Sequence, residues 1–502
     1  MTEERNSDQG RTRATLFWNL IQRYGIVVVV AVFFVTANLH FSYTPDDTYI
    51  YLQYAKNIAR DEGFSFNAGS PSYGVTGPLW VLLIAGGTGL GLDPYIVAKT
   101  LDVILASLAI LAAYALAFAI IRDRIYALVA AWVLSFDSWF LRWASSGMET
   151  SFAVLLALVA AWYAYRKEYI VASLVAGLLT LVRPEGALLF VAMLLDNLLN
   201  TRDRTAKRRA LAGSVVTYGV IVSVWLLFAY VQLGSIVPNT LQAKSTIQTS
   251  LSVLWFTTFS CLKILGATQG IAVLFIALGV VVTVRKYGWK IIREEGFLIL
   301  WVLLLLTAYI LLNVQVVSRY LVLVLPFIAI YGMWGIKRLE IASVLSSRQA
   351  LLTLLIVAGL LLTQNQYVYR SRVVPHMENF TMGMSECLKP IAYWLRTHAE
   401  TDATVLTPDV GILGYISDRT VVETAGLVTP DMKRAFRGIS YDEGMKQGRY
   451  LQILLPDYIV DRSPRPERLA SDSIRPVMTR PFSGLGLTKS DPVYYTLYKV
   501  SK

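Results

Sequence analysis

Apolar runs of membrane length recur from about residue 24 to residue 365 of this 502-residue chain, and they constrain its fold more than any other feature. A stretch of about 20 apolar residues spans a bilayer core of roughly 30 Å. Because 55% of the residues are hydrophobic and the mean hydropathy is +0.52, we predict an integral membrane protein with many helices. The predicted spans are about 24–40, 97–121, 125–143, 149–165, 169–182, 185–200, 211–233, 268–284, 296–313, 320–336 and 350–365.

Segment 78–92 decides on which side of the membrane every later loop falls. It is apolar but short, and four glycines between Gly86 and Gly91 make it a poor spanning helix. If it does not cross, strongly basic loops such as 202–209 and 285–293 fall on the same side as the basic N-terminus, as the positive-inside rule requires. We therefore predict eleven spans with a cytoplasmic N-terminus and an outer C-terminus. Segments 78–92 and 251–265 would lie along the outer interface.

The distribution of charge and polarity divides the chain into three parts. The net charge of +12 is spread over short loops, which argues for topology control and against nucleic-acid binding. Residues 1–23 form a basic cytoplasmic segment, and residues 24–365 form the membrane domain with a first outer loop at 41–96. Residues 366–502 are more polar and long enough for one small domain outside the cytoplasm.

Local patterns in this C-terminal part predict an α/β domain. Helical spacing of apolar residues predicts helices at Met384–His398 and Met445–Leu455. Short apolar runs predict strands at Ala403–Leu406, Thr420–Val422, Tyr458–Val460 and Val493–Val500. The predicted fold class is an all-α polytopic membrane domain of about eleven transmembrane helices plus juxtamembrane helices, followed by an extracytoplasmic α/β domain.

The polar stretch Thr44–Trp80, directly after the first predicted span, holds two adjacent carboxylates. Asp46 and Asp47 precede a helical pattern, so one interpretation is that they cap that helix. Two acids exceed what a cap needs, and a carboxylate at the edge of the bilayer can also act as a general base or a metal ligand. Both interpretations remain open from the residues alone.

Further ionisable residues fall at the outward ends of later spans. Glu149 stands in the sequence SGMET, and Arg183 and Glu185 stand in RPEG. An acid at a helix start or an Arg–Glu pair explains each locally, but ionisable groups near the membrane are candidates for function. Lys244 and Arg319 add two outer cations, which either snorkel to headgroups or bind a phosphate.

Cysteine and histidine give no sign of a metal centre or a disulfide. Cys261 and Cys387 are far apart in sequence and form no CxxC pair. The three histidines, His40, His376 and His398, have no spacing typical of a zinc site.

Taken together, the motifs resemble those of a known enzyme superfamily. They are DD-x-Y-I, YAKNIA, GFSFN, SGMET, RPEG, PNT-xx-KS and SRY, with DVGILGY, GLVTP and PDYIV in the C-terminal part. This set is similar to the GT-C superfamily of membrane glycosyltransferases, which use polyprenyl-phosphate sugars. The chain looks most like the branch with the mycobacterial terminal arabinofuranosyltransferases, and is more distantly similar to protein O-mannosyltransferases and the lipid A aminoarabinose transferase.

The resemblance implies an inverting transfer of a sugar from a polyprenyl-phosphate donor to an acceptor hydroxyl, outside a bacterial cell membrane. It places the base on Asp46, with Asp47 and Glu149 orienting the acceptor or holding a divalent cation (Mg²⁺, Mn²⁺ or Ca²⁺). Lys244 and Arg319, with Arg183 as a further candidate, would bind the donor phosphate. The residues implied to contact the sugar or acceptor are Tyr49, Tyr73, Glu185, Asn239 and Tyr320.

The sequence also leaves two alternative functions open. An oligosaccharyltransferase or ligase with a lipid-diphosphate donor fits the same outer-face residues. A transporter or flippase fits less well, because the chain shows no paired hydropathy halves and its polar groups gather on one face. The predicted partners are the lipid-linked donor, a glycan, lipid or protein acceptor, and membrane lipids, with no nucleic acid.

Overall fold

The computed structural model describes residue 20 and residues 22–240, 250–485 and 493–501. Helices dominate the part before the C-terminal sheet. They are α1 Gln22–Asn38, α2 Asp46–Ala59, α3 Pro78–Gly89, α4 Pro94–Ile121, α5 Arg124–Ser135, α6 Ser138–Trp143, α7 Thr150–Tyr165, α8 Tyr169–Val182, α9 Gly186–Asn200, α10 Arg204–Leu233, α11 Leu251–Tyr287, α12 Trp289–Glu295, α13 Phe297–Leu311, α14 Ser318–Leu321, α15 Leu325–Ile341 and α16 Ser347–His398.

Four of the described helices are long and apolar enough to cross a membrane by themselves: α4, α10, α11 and α16. The pair α12 and α13, bent by 74°, would add a fifth if it acts as one span. Others, including α1, α3 and α5, are apolar but shorter. The structure therefore supports several spans, and the predicted number of eleven is not established.

Two predicted segment boundaries differ from the structure. Segment 251–265 is the first part of the continuous helix α11 and not a separate element. The glycines that follow this segment, Gly266 and Gly270, do not end the helix, because an interior glycine costs only about 1 kcal/mol. The predicted span 125–143 is broken, since the buried Asp137 accepts hydrogen bonds from the backbone N–H groups of Trp139 and Phe140 and starts α6.

The C-terminal part is built on a five-stranded mixed sheet. Its strands are β3 Thr404–Thr407, β4 Thr420–Glu423, β5 Tyr458–Ser463, β6 Ile474–Phe482 and β7 Val493–Val500, in the order β4-β3-β5-β7-β6. Strand β3 pairs in parallel with β4 and β5, whereas β7 is antiparallel to β5 and β6. An earlier two-stranded hairpin, β1 Ser65–Asn67 and β2 Ser70–Pro71, lies in the first outer loop.

The sequence predicted four of these five strands and missed β6. Strand β6 contains Pro476 and Pro481, and proline cannot donate a ladder hydrogen bond. It is tolerated here because β6 is an edge strand, paired only with β7. The predicted helix 384–398 is present as the end of α16. The predicted helix Met445–Leu455 is instead a short helix, Tyr441–Lys446, and a 3₁₀ turn, Arg449–Gln452, separated at Gly448.

The first outer loop packs directly against the C-terminal sheet domain. Asn67 donates its side-chain amide to the carbonyl of Val421 and accepts the N–H of the same residue, each at 2.9 Å, so it pairs with edge strand β4 as a strand would. Lys56 of α2 forms an ion pair with Asp418 at 2.9 Å. Helix α2 is thereby held between the membrane helices and the C-terminal domain.

Close approach of α11 and α15 requires glycine at the crossing. A methyl group on Gly335 would overlap the carbonyl oxygen of Phe275, and one on Gly279 would lie 2.5 Å from the Cα of Gly335.

We expect Gly335→Ala to lower the thermal unfolding midpoint, because overpacking costs about 1–3 kcal/mol. Gly359→Ala in α16 is the matched control, since nothing lies within 4 Å of its added methyl. Equal midpoints for the two variants in one detergent would contradict this contact.

Candidate active site

Two turns that carry predicted site residues are attached to the same helix, α4. The ammonium of Lys99, which is fully buried, donates to the carbonyls of Tyr43, at 2.6 Å, and Ser145. One turn later, the buried carboxylate of Asp102 accepts the backbone N–H of Gly147 at 2.8 Å. The chain before Asp46 and the chain before Glu149 are therefore held side by side.

The SGMET turn has a conformation that only glycine adopts readily at its centre. Gly147 has φ +81°, and an added Cβ would lie 2.9 Å from Thr48 and 3.0 Å from the Lys99 side chain. Thr48 donates to the carbonyl of Ser146 at 3.0 Å, and Trp80 donates to the carbonyl of Gly147. The turn is thus bonded to α2, α3 and α4, which places Glu149 at the start of α7.

A cavity of about 330 Å³ lies beside this turn. Six of the residues predicted from sequence line it: Asp47, Glu149, Arg183, Glu185, Arg319 and Tyr320. Because they come from four separate parts of the chain, their convergence is a property of the fold. The cavity is the candidate active site.

Opposite charges meet inside this cavity. Arg319 donates to Asp47 at 2.5 Å, and the Asp47 side chain keeps 38% of its surface exposed. Arg183 donates to Glu185 at 2.7 Å and contacts Glu149 at 3.4 Å. Both arginines are therefore held in place by carboxylates while their planar ends line the cavity.

An aromatic ring links the two cations. The guanidinium groups of Arg183 and Arg319 each lie 5.2 Å from the centre of the Tyr320 ring. Burial acts to lower the pKa of Arg319, but the charge of Asp47 outweighs it, so the pKa lies well above its ordinary value. Arg319 therefore stays charged at every physiological pH.

Apolar residues form another part of the cavity wall, on helices α9 and α13 and the turn after α13. These are Ala187, Leu188, Leu305, Ala308, Leu312 and Val314. Leu312 lines the cavity and is also 38% exposed, so the apolar wall continues to the outer surface of the helices. The cavity thus combines a cationic part with an apolar exit.

Asp46 does not line this cavity, although its neighbour Asp47 does. Its two carboxylate oxygens accept the backbone N–H groups of Gly411 and Ile412, each at 2.9 Å, at the start of a short helix in the C-terminal domain. Burial raises the pKa of Asp46 to about 7, the nearby Asp409 adds to the rise, and the two N–H bonds oppose it. Asp46 therefore faces the C-terminal domain in this arrangement, and its implied role as the base stays a prediction.

The remaining predicted residues lie around the cavity or outside the described chain. Tyr49 is buried between Tyr95 and Tyr415, and the Tyr73 hydroxyl accepts from Trp225. The Asn239 side chain donates to the carbonyl of Leu427 in the C-terminal domain. Lys244 falls in 241–249, outside the described residues, so its predicted role as a phosphate ligand stays a prediction.

Several cavity residues were missed by sequence reasoning. Tyr309 donates to Glu185 at 2.8 Å, and its hydroxyl inside the very apolar helix α13 is a signal that could have been noticed. Thr240 and Leu427 also line the cavity. They stand in the quoted motifs PNT and GLVTP, but neither motif indicates by itself which of its residues faces a cavity.

The donor set does not fit a divalent cation in this arrangement. Among the described residues, no three His, Cys, Asp or Glu side chains stand close enough to hold a metal ion. Asp47 and Glu149, the predicted ligands, each contact an arginine instead. Since Mg²⁺ and Ca²⁺ take about six or more oxygen ligands, we derive no step through a metal, and the cation stays a prediction.

Among known protein families, a match is found to the C-terminal part of the chain. Residues 376–498 match a family model described as a domain of unknown function, DUF8728. No curated protein matches the sequence.

Solved structures resemble the chain over most of its length. The Archaeoglobus fulgidus oligosaccharyltransferase in the apo form aligns with a TM-score of 0.60 at 14% identity, over 87% of this chain and 69% of its own. ArnT from Cupriavidus metallidurans in the apo state gives 0.56 at 16% identity, over 96% and 98%. Arabinofuranosyltransferase AftD from Mycobacteria gives 0.53 at 16% identity, over 96% of this chain but only 40% of AftD.

A second structure from Archaeoglobus fulgidus holds a lipid phosphate. It is the oligosaccharyltransferase AglB in complex with an inhibitory peptide and a dolichol-phosphate, with a TM-score of 0.54 at 13% identity, over 88% of this chain and 69% of its own. Identities this low establish the fold and not the substrate. The chain is a multi-pass membrane protein with the fold of the GT-C glycosyltransferases.

Proposed function

We propose that this protein is an inverting glycosyltransferase that moves a sugar from a polyprenyl-phosphate donor to an acceptor hydroxyl on the outer side of a bacterial cell membrane. The observation that carries the proposal is the cavity itself. The buried Arg183 and the partly buried Arg319 meet carboxylates there, beside an apolar wall that reaches the outer surface. A cell-envelope glycan is the acceptor we expect, and an arabinofuranosyl sugar is the first donor to test.

The donor would contact both the arginine-bearing part and the apolar part of the cavity wall. Its phosphate would meet Arg183 and Arg319, since planar guanidinium groups bind phosphate oxygens in pairs. Its polyprenyl tail would leave along Leu305 and Leu312, because an apolar chain gains free energy by staying out of water. The dolichol-phosphate held by AglB supports this choice of ligand.

Phosphate binding would also prepare Asp47 to act as the base. Asp47 is paired with Arg319 in the present arrangement, and a phosphate that binds Arg319 competes for that partner. The carboxylate of Asp47 lines the cavity and, once the phosphate neutralises Arg319, can accept a proton. Glu149, which also lines the cavity, would orient the acceptor.

In the transfer step, the acceptor oxygen bonds to the anomeric carbon while the bond from that carbon to the phosphate oxygen breaks. The bonding electron pair leaves with the polyprenyl phosphate, and the acceptor proton passes to Asp47. The two arginines stabilise the charge that grows on the leaving phosphate, an electrostatic contribution that is often the largest one in catalysis. Asp46 would act beside this site and not in it, by holding the C-terminal domain.

Polyprenyl-phosphate release tests the reaction and the choice of base together. Purified protein in lipid nanodiscs is given decaprenyl-phosphate arabinose or mannose with cell-envelope glycan, and released decaprenyl phosphate is measured. We expect Asp47→Asn to cut release by about 100-fold or more, because a general base contributes about that much. Asp46→Asn should stay within about tenfold of the native rate, because Asp46 does not line the cavity and an amide oxygen can still accept one of its two N–H bonds. The reverse order would return the base to Asp46, and release from a diphosphate donor alone would favour an oligosaccharyltransferase.

Lipid-phosphate binding tests the arginines without turnover. Arg319→Ala should weaken binding of geranylgeranyl phosphate, and Arg319→Lys should restore it only in part, since lysine lacks the planar fork. Geranylgeraniol, which has the same tail and no phosphate, should bind equally to all three proteins. The exposed Arg434 is the control position, where alanine should change nothing. An unchanged affinity of Arg319→Ala for geranylgeranyl phosphate would reject the proposed phosphate site.

The pH dependence of stability tests the position of Asp46. Its pKa is raised to about 7 in the folded protein, above the ordinary 3.8, so the folded state holds more protons between these values. The stability that Asp46 contributes is therefore full below about pH 4 and is lost as the pH rises through 7. Relative to the native protein, Asp46→Asn should therefore gain stability as the pH rises from about 4 to about 7 in thermal unfolding, and the gain should level off above that. Because Glu423 titrates in the same direction, only the difference between the two proteins is diagnostic. If the difference in unfolding midpoint between the two proteins does not change with pH, the pKa of Asp46 is not raised and its carboxylate is in contact with water.

A further inference from the structure

Among the described residues of the C-terminal domain, Leu427 lines the cavity. This residue follows the end of β4 in the sequence TAGLVTP and lies within the range matched by the domain of unknown function. A domain that only stood beside the site would not supply a wall residue. The contacts around Leu427 show that its position is fixed from both sides.

From its own domain, Leu427 is held by a buried carboxylate. Glu423, which is 1% exposed, accepts the backbone N–H groups of Ala425 at 2.5 Å and of Leu427 at 2.7 Å. Between them, Gly426 has φ +83°, a conformation that favours glycine. The loop 423–427 is therefore a closed turn built around one side chain.

From the membrane domain, Leu427 is held by Asn239. The Asn239 amide donates to the Leu427 carbonyl at 3.0 Å, and the Asn239 backbone N–H donates to the carbonyl of Tyr73 at 2.8 Å. Gly74 also lies against this turn, where an added Cβ would be 3.1 Å from the Leu427 carbonyl oxygen. Three separated parts of the chain thus form one continuous piece of wall.

This piece of wall carries no charge, in contrast to the arginine-bearing part. The residues that line it are Gly74, Val75, Thr76, Thr240 and Leu427. The Thr240 hydroxyl is buried, lines the cavity and has no hydrogen-bond partner among the described residues. A buried hydroxyl without a partner is costly, so its place in a cavity indicates that a ligand supplies the partner.

We propose that Gly74–Thr76, Thr240 and Leu427 form the acceptor subsite, which takes an uncharged, hydroxyl-bearing group such as a neutral glycan residue. The assignment rests on the proposed function, because the arginine-bearing part is there reserved for the donor phosphate. Thr240 would hydrogen-bond an acceptor hydroxyl, and Leu427 would pack against the face of the acceptor ring. Glu423 and Asn239 are positioning residues that act through Leu427.

Protection of a cysteine from alkylation tests the subsite without turnover. The native cysteines, Cys261 and Cys387, are both buried, so a cysteine at 427 can be followed by its own reaction with N-ethylmaleimide. In nanodiscs, octyl arabinofuranoside or octyl mannoside should slow labelling of Leu427→Cys by about tenfold, the scale of a well-filled apolar contact. Octyl glucuronide should protect less, since its carboxylate would be buried near Asp47 and Glu149.

Two further cysteine variants keep this test decisive. Ala425→Cys lies in the same loop but is exposed, so its labelling should not respond to any glycoside. Thr76→Cys lies on the same wall and should be protected like Leu427→Cys, which covers the case that the first variant folds poorly. Equal protection at 425 and 427, protection by the glucuronide alone, or no protection at 427 and 76 would each overturn the subsite.

Geranylgeranyl phosphate binding to the same Leu427→Cys protein separates this proposal from the proposed function. Retained lipid-phosphate binding with glycoside protection supports both. Retained binding without protection rejects the acceptor subsite alone. Protection without any lipid-phosphate binding, in this variant and in the native protein, keeps a neutral glycan site and rejects the polyprenyl-phosphate donor.

Discussion

The buried ammonium of Lys99 is the interaction on which the arrangement of the site depends. It binds the carbonyls of Tyr43 and Ser145, which belong to two turns about 100 residues apart in sequence. A buried amino group needs hydrogen bonds in place of the water that it has lost, and here main-chain carbonyls accept them. Asp102, on the same helix, holds the second turn through Gly147. Helix α4 therefore fixes the positions of the two chain segments that carry Asp47 and Glu149.

The ion pairs of the cavity would allow a donor phosphate to replace a carboxylate as the partner of an arginine. Arg319 with Asp47, and Arg183 with Glu185, satisfy one another in a site that is largely shielded from water. A donor phosphate can replace Asp47 as the partner of Arg319 without leaving a cation unpaired. In the mechanism we propose, the same exchange removes the arginine charge that keeps the Asp47 carboxylate from accepting a proton. Binding and activation would then be one event.

The C-terminal domain is joined to the outer loop at several points around the cavity. Asp46 accepts two N–H bonds from it, Asn67 pairs with its edge strand, and Leu427 enters the cavity wall. The adjacent acids therefore divide two tasks, with Asp47 facing the cavity and Asp46 facing the domain. The domain of unknown function is, on this view, part of the site and not an appendage.

The sequence by itself determined the membrane character, the mixed C-terminal domain and six residues of the cavity, because apolar runs and unusual ionisable motifs are local signals. The tertiary structure alone decided that Asp47 and not Asp46 lines the cavity, since neighbours on a helix point about 100° apart and no local pattern fixes the rotation. It alone brought in Leu427, which the cavity-side Asn239 binds from 188 residues away in sequence. It also joined 251–265 to a longer helix, because hydrogen bonding, and not hydropathy, sets where a helix ends.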